Sequence, residues 1–554
     1  MFKYNSDHKD NTWKTLLQNI VDDSTLQVAT TQFCNQLKID SENYENKQPV
    51  SECGYFAPRV RSSLDKKFNV ARNIAITLFP PDLSKKDQEA QKIWSYMRYQ
   101  KLIAKLSNAF VEQIEHAEAM KSEFREVRQT GQRKYFCELK NKPLSSHILE
   151  PKAMPVNVSP IEELQPFFDH LSSNSTIEVE QMEFQRGVQY NDGRMDLCKQ
   201  VVGPPHISQL MKSLQNNTHI DHFLLGNNII GLNGAKAISE FLLGPHVPQI
   251  KTWYLAGNDI DAKGAKLLCD ALKKDTVCEA FWLKRNPLGS DGAKYIAELL
   301  EVNNTIKILD LDNTGILDEG VKHIMYALEK NTGLKQLYLD ANGITPVGTQ
   351  YVADYFNYLV KTGRKGVTSL WLGINRLDDE GATILAKSLK NYKFLKRLVV
   401  NSNRLTEVGT QALCDALVDH TNLISFDLGI YKSTSDLNEL PNNIGDKGAV
   451  IMADFIRKNK SVQVLSVLHN DISEDGVKLL ADALLENDTI VWLYYEQYGV
   501  GIAQPCRLAI RSKLEKNIHK HFGLDVGDFC NNKLRYIKGS KKLKNIDSVY
   551  RNRM

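Results

Sequence analysis

The sequence predicts an α/β solenoid in which short parallel strands alternate with helices and stack into a curved array. Three observations carry this. A string of the form Leu-x-Leu-x-x-Asn-x-Ile-x-x-x-Gly recurs along the chain. Its asparagines stand at 228, 258, 286, 342, 375, 403 and 470, with steps that include 28 residues and, across one degenerate copy, 56. Apolar residues follow each copy at helical spacing, as Ala265, Leu268, Ala271 and Leu272 do. A spacing held over so much of the chain is the mark of a repeat architecture.

Before the repeats, residues 1–140 have a different texture. Pro80-Pro81 and Asp82-Leu83-Ser84 make a turn and a helix cap. Ile93, Trp94, Met97, Leu102, Ala104, Leu106, Phe110 and Ile114 then keep near-helical spacing, so a mostly helical N-terminal domain is expected. Pro143, Pro151, Pro155 and Pro160 mark a linker over 141–160. Residues 161–217 are expected to form a divergent repeat capping the stack, since terminal repeats must differ from internal ones. About ten repeats occupy 218–505, and 506–554 form a C-terminal cap and a basic tail.

Within each repeat the parts have separate physical jobs. In Trp253-Tyr254-Leu255 and Leu337-Tyr338-Leu339 alternate residues point into the core. Phe223 with Leu225, Phe281 with Leu283, Leu309 with Leu311, Leu370 with Leu372, Leu398 with Val400 and Leu465 with Val467 repeat the pattern. The asparagine satisfies backbone groups where the chain leaves the strand, and Thr314 takes its place in the degenerate copy. Gly234-Ala235 and Gly292-Ala293 open helices. Each unit has a one-sided core that only its neighbours can cover, so the units must stack. Cys269 and Cys414 occupy equivalent helical positions and read as small buried residues of a reducing compartment, not a disulfide framework.

Residues from about 218 to 500 resemble ribonuclease-inhibitor-type leucine-rich repeats, in the period and in the strings GAKLLCDAL and GAKYIAELL. The resemblance implies an α/β horseshoe that recognises a protein on its concave face. Two departures stand out. After Leu428 the expected asparagine position holds Tyr431, and the next in-phase pair is Asn442 and Ile444, so a loop of about eleven residues leaves the strand end. It is either a partner contact or a tolerated surface loop. A shorter insertion at Thr362-Gly363-Arg364-Lys365-Gly366 only lengthens a turn.

The residue between the two inward positions of each strand faces the concavity. In order these are Leu224, Tyr254, Trp282, Asp310, Tyr338, Trp371, Val399, Asp427, Ser466 and Tyr494. Tyr and Trp on a rigid sheet dominate binding hot spots, although strand propensity also favours them. The next outward row contains Lys284, Asp312 and Asp340. Tyr254, Trp282, Lys284, Asp310, Asp312, Tyr338, Asp340, Trp371 and Tyr494 are therefore the candidate partner-binding residues, on a face expected to be open to solvent. The acidic cluster suits a basic or Arg-bearing segment and argues against nucleic acid, which needs a basic groove.

Composition adds limits. The chain has 554 residues, 42% hydrophobic and 25% charged, with net charge +4. From Cys506 to Met554 there are 13 Lys+Arg and 4 Asp+Glu, a tail of +9 that either is simply solvated or meets an acidic surface. No run of about 18 apolar residues predicts a transmembrane helix, and the polar start MFKYNSDHKDNTWK has no signal-peptide core. A cytoplasmic protein, or one delivered into a host cytosol, is expected. No phosphate-binding, zinc-binding or hydrolase motif is present, so no cofactor and no metal are expected. Glu112, Glu115 and His116 read as a solvated helix face, and nothing local supports Cys34 or Cys53 as a nucleophile. The sequence thus predicts a binding scaffold, adaptor or effector and not an enzyme, with residues 1–140 open. The alternative is an activator of a small GTPase, because Ran GTPase-activating proteins use similar repeats with an arginine at a repeat edge. Arg285, Arg376 and Arg404 are the positions in question. Those proteins carry an acidic C-terminal stretch, whereas this tail is basic.

Overall fold

The computed structural model describes residues 142–154, 156–245, 249–497, 500–529 and 546–552. The chain divides into two units, Met1–Asn141 and Lys142–Met554, and the account below concerns the second. The expected N-terminal helical domain, with Glu112, Glu115, His116, Cys34 and Cys53, lies outside the described residues.

Thirteen strands form one sheet whose spatial order equals their order in sequence. The first three, β1 (Gln181–Glu183), β2 (Val188–Tyr190) and β3 (Arg194–Asp196), pair antiparallel. Then come β4 (His222–Leu224), β5 (Thr252–Tyr254), β6 (Ala280–Trp282), β7 (Ile308–Asp310) and β8 (Gln336–Tyr338). They continue as β9 (Ser369–Trp371), β10 (Arg397–Val399), β11 (Ser425–Asp427), β12 (Val464–Ser466) and β13 (Trp492–Tyr494). From β3 onward every pairing is parallel and in register. Between successive strands from β4 to β13 the chain crosses back through one helix, such as Ala262–Leu272 or Gly289–Val302. The fold is an open α/β solenoid.

Its core lies between sheet and helices. Phe223, Leu225, Trp253, Leu255, Phe281, Leu283, Leu337, Leu339, Leu370 and Leu372 are all buried there, each contributing about 1.5–3 kcal/mol by leaving water. The helical glycines permit close helix contacts. A Cβ at Gly320 would lie 2.9 Å from the Ala293 Cβ on the preceding helix. Cys269 and Cys414 are buried free thiols in this layer, and burial pushes both thiols up, out of reach of the reactive thiolate form.

The asparagines do more than close a turn within one repeat, because each ties two repeats together. Asn286 Oδ1 accepts from the backbone N–H of Asn258 and of Ile260, at 3.0 Å each. Its Nδ2 donates to Leu255 O at 2.9 Å and Leu283 O at 2.7 Å. Asn442 resumes the ladder after the long insertion, accepting from Asn403 and Leu405, and Gln497 extends it at the far end. A second ladder, not singled out from the sequence, runs where helices turn back to strands. Asn303, Asn331, Asn459 and Asn487 each donate to backbone carbonyls of the preceding repeat and accept backbone N–H groups two or three residues ahead.

At one end the helix Ile161–Ser172 and the β1–β2 hairpin flank the stack. At the other the helix Gln504–Phe522 packs on the last strand, with Asn517 Nδ2 donating to Asn487 O and Ile490 O. The stretch from Lys142, in which the sequence suggests a linker, lies against the strand-end loops. Ile148 is buried, Asn313 Nδ2 donates to His147 O, and Arg376 donates to Lys142 O. The turn insertion ends the helix Pro346–Thr362 at Gly363, which takes φ +66°, a conformation glycine adopts without strain.

A candidate binding face on the concave side of the sheet

The parallel register places Leu224, Tyr254, Trp282, Asp310, Tyr338, Trp371, Val399, Asp427, Ser466 and Tyr494 in one row. Tyr254, Trp282 and Tyr338 belong to an apolar cluster separate from the core between sheet and helices, with Trp371 packed against it. They stand on the concave face, as the alternation of strand residues requires. Four of the five expected aromatics are brought together. Tyr254 meets Trp282 with centroids 6.1 Å apart, Trp282 meets Tyr338 at 5.4 Å, and Tyr338 stacks on Trp371 at 3.7 Å. Tyr494 stands apart, four strands beyond Trp371, against Trp492. A row nearer the strand starts supplies Arg397, whose guanidinium lies 5.4 Å from the Trp371 ring.

Contrary to the expected open face, most of these side chains are buried. Tyr254, Trp282 and Tyr338 keep no more than 9% of their surface, and Asp310, Asp312 and Asp340 no more than 5%. The rings pack on one another. Trp282 and Tyr338, on the strands flanking Asp310, meet above it. The Trp282 Nε1 is buried with no acceptor.

The carboxylates form a charged knot. Lys284 Nζ donates to Asp312 Oδ2 at 3.0 Å, while Asp312 Oδ1 accepts the Asp340 N–H at 2.8 Å. Asp310 Oδ1 accepts the Asp312 N–H at 2.9 Å and Asp340 Oδ1 the Gly373 N–H at 2.6 Å. Burial, reinforced by the charge of Asp312, raises the carboxyls of Asp310 and Asp340 well above the usual aspartate range, against the pull of Lys284. Burial works to lower the Lys284 ammonium, but Asp312, Tyr431, Asp310 and Asp340 outweigh it and hold the lysine well above its ordinary value. A further positive charge placed here would pull the raised carboxyls of Asp310 and Asp340 back toward their ionised form.

The insertion after Leu428 stands over this knot. Tyr431, Ser433, Asp436 and Leu437 close one side of a cavity of about 240 Å³ whose other side is Lys284, Arg285, Asp312, Asn313, Asp340, Ala341 and Ile374. Its fixed point is Glu439, fully buried between two arginines. Arg376 reaches Glu439 Oε1 at 2.7 Å and Arg404 reaches Oε2 at 2.9 Å. Two of the three candidate GTPase-type arginines are therefore committed to this loop. The third, Arg285, donates to Asn227 Oδ1 at 2.8 Å and lines the cavity.

A second cover, invisible in the sequence, comes from the C-terminus. Ile546 and Tyr550 pack against the aromatic cluster. Arg551 Nη1 donates to the Tyr254 hydroxyl at 2.7 Å, and its guanidinium lies 4.4 Å from the ring centroid. Among the described residues no group of three or more His, Cys, Asp or Glu is placed to hold a metal, and no helix is long and apolar enough to cross a membrane.

A family model described as Leucine Rich repeat matches residues 249–269 and 302–325. Those two stretches are leucine-rich repeats, and the solenoid around them keeps the same alternation of parallel strand and helix. Among solved structures, the repeats are similar to Leiomodin-1 actin-binding site 2, at 16% identity over 44% of this chain and 96% of that one, with a TM-score of 0.22. They are also similar to a chain of the Rad7 and Elc1 complex in yeast, at 13% identity over 52% of this chain and 76% of that one, with a TM-score of 0.25. No curated protein sequence matches the chain.

Proposed function

We propose that this leucine-rich-repeat solenoid is a non-enzymatic binding scaffold whose concave face recognises a protein segment bearing an arginine or lysine. One observation carries the reading: four aromatic side chains in a contacting row, Tyr338 and Trp371 stacked, border three buried acidic residues of which Asp312 holds Lys284. Such a surface gives a cation ring faces and buried carboxyls that its own charge would help to ionise, where an ion pair is worth more than in water. The repeats are read as the ribonuclease-inhibitor-like class, with the horseshoe's hollow side as the recognition surface. A nucleic-acid partner is disfavoured by the same acidic charge.

The test is affinity capture with a Trp282→Ala/Trp371→Ala variant beside the wild-type chain. The partner set is expected to be lost while thermal unfolding stays cooperative, because these rings lie outside the core between sheet and helices. Retention of every partner by the folded variant defeats the reading. Activation of a small GTPase is the competing function, and the burial of Arg376 and Arg404 against Glu439 weighs against it. No stimulation of GTP hydrolysis is expected across a panel of small GTPases. Stimulation abolished by Arg285→Ala would instead establish that function.

A further inference from the structure

We infer that the C-terminal segment Ile546–Asn552 is an internal ligand of the concave face, holding the site that a partner's aromatic-and-arginine segment must take. The inference rests on the concave face being the recognition surface, and it names the chemistry the partner must share.

The contacts of this segment are those of a bound peptide. Arg194 Nη1 donates to the Asp547 carbonyl at 2.6 Å, fixing its backbone. The Gly187 N–H donates to the Tyr550 hydroxyl at 3.0 Å, while Tyr550 and Ile546 lie on the apolar cluster. Ser548 is buried beside Asp196. Burial raises the Asp196 carboxyl, against the lowering pull of hydrogen bonds from Cys198 and Ser548 and of the Arg551 charge. Arg551 then closes on Tyr254 through both hydroxyl and ring. The polar anchors of the segment are matched by groups on β2, β3 or β5, or on the loop before β2. Its arginine takes the first ring of the aromatic row whose far end reaches Trp371.

Intramolecular binding makes weak contacts sufficient. Belonging to the same chain holds the segment at an effective concentration on the order of 1 mM. A segment of Kd about 0.1 mM would then hold the site roughly ten to one, and an incoming ligand would lose affinity by about that factor. A partner must therefore bring a better segment or dislodge this one. A negative charge at Ser548, buried beside Asp196, would dislodge it because that charge would have to be desolvated next to a second acidic group.

The test uses the full chain and a fluorescent peptide of residues 544–554, KNIDSVYRNRM. In Tyr550→Ala/Arg551→Ala chain the peptide is expected to bind about tenfold tighter than in wild type, because the site has been vacated. Adding Tyr254→Ala is expected to abolish that binding, and Ser548→Asp alone to free the site as the double variant does. Equal binding to wild type and double variant, or binding to neither, overturns the inference. So does a wild-type dimer that the double variant dissolves, since the segment would then come from a second copy. Failure of the recognition reading looks different. In that case the peptide binds as expected, yet partner capture is unaffected by Trp282→Ala/Trp371→Ala.

Discussion

Two sets of buried polar groups lie within a few residues of each other on the same strands, and they behave in opposite ways. The asparagine ladder at the strand ends is uncharged, and Asn286 meets four backbone groups. The acidic knot of Asp310, Asp312 and Asp340 is ionisable and crowded, with Lys284 bonded to Asp312 and the carboxyls of Asp310 and Asp340 raised by burial. A satisfied buried polar group holds a structure together, whereas a desolvated charge without full compensation is kept at a cost in stability. The contrast separates the face that stabilises the solenoid from the face that spends stability on recognition.

The largest test of this contrast is Asn286→Ala. It strands two backbone N–H groups and two carbonyls in the interior, and a loss of about 3–5 kcal/mol is expected in denaturant unfolding. A loss below about 1 kcal/mol would mean that water replaces the ladder and would erase the contrast.

Next comes Glu439→Ala, which leaves Arg376 and Arg404 without their shared carboxylate. Removing one partner of a buried ion pair is expected to destabilise the chain by about 3 kcal/mol. Hydrogen exchange in residues 431–441 should rise with it. Exchange that stays at the wild-type level would show that Glu439 does not pin the insertion.

Asp310→Asn should act in the opposite direction, raising stability at neutral pH by about 1 kcal/mol, the scale of a typical stabilising change. The sign follows from linkage. Because the folded chain raises the Asp310 carboxyl, folding favours its protonated form. That contribution is complete below the ordinary aspartate range and is lost as pH rises through the raised value. The variant's advantage should therefore vanish in acid and grow toward neutrality. A Tm difference that is flat with pH would show that burial does not perturb this carboxyl.

The smallest effect on stability belongs to Arg551→Ala, which removes the hydrogen bond and ring contact to Tyr254 and the charge near Asp196. Less than about 1 kcal/mol is expected in unfolding. Protection of residues 546–552 in hydrogen exchange should nonetheless be lost. A large stability loss would make the segment part of the fold instead of its occupant.

How much of this was legible in the sequence depends on the range of the interaction involved. Leu-x-Leu, the asparagine and the helical apolar spacing are set by residues a few positions apart, and they announced the strands, the ladder and the concave row from Tyr254 to Trp371. The second ladder was present too, as recurring asparagines before the strands at Asn303, Asn331, Asn459 and Asn487, but it was masked by its loop setting. The return of the pattern at Asn442 gave away the insertion, yet nothing local to Glu439 pointed to Arg376 and Arg404, which lie 63 and 35 residues earlier.

The stacking of the repeats is therefore a consequence of the sequence alone, because a one-sided hydrophobic unit has only its own neighbours to pack against. Whether the hollow stands open was decided by tertiary structure. The covering groups arrive from far along the chain, Tyr431 by the long insertion and Arg551 by contact with Tyr254 at a separation of 297 residues. Contacts of that reach leave no period to read. They form only once the solenoid has brought distant strands and the chain end to the same side.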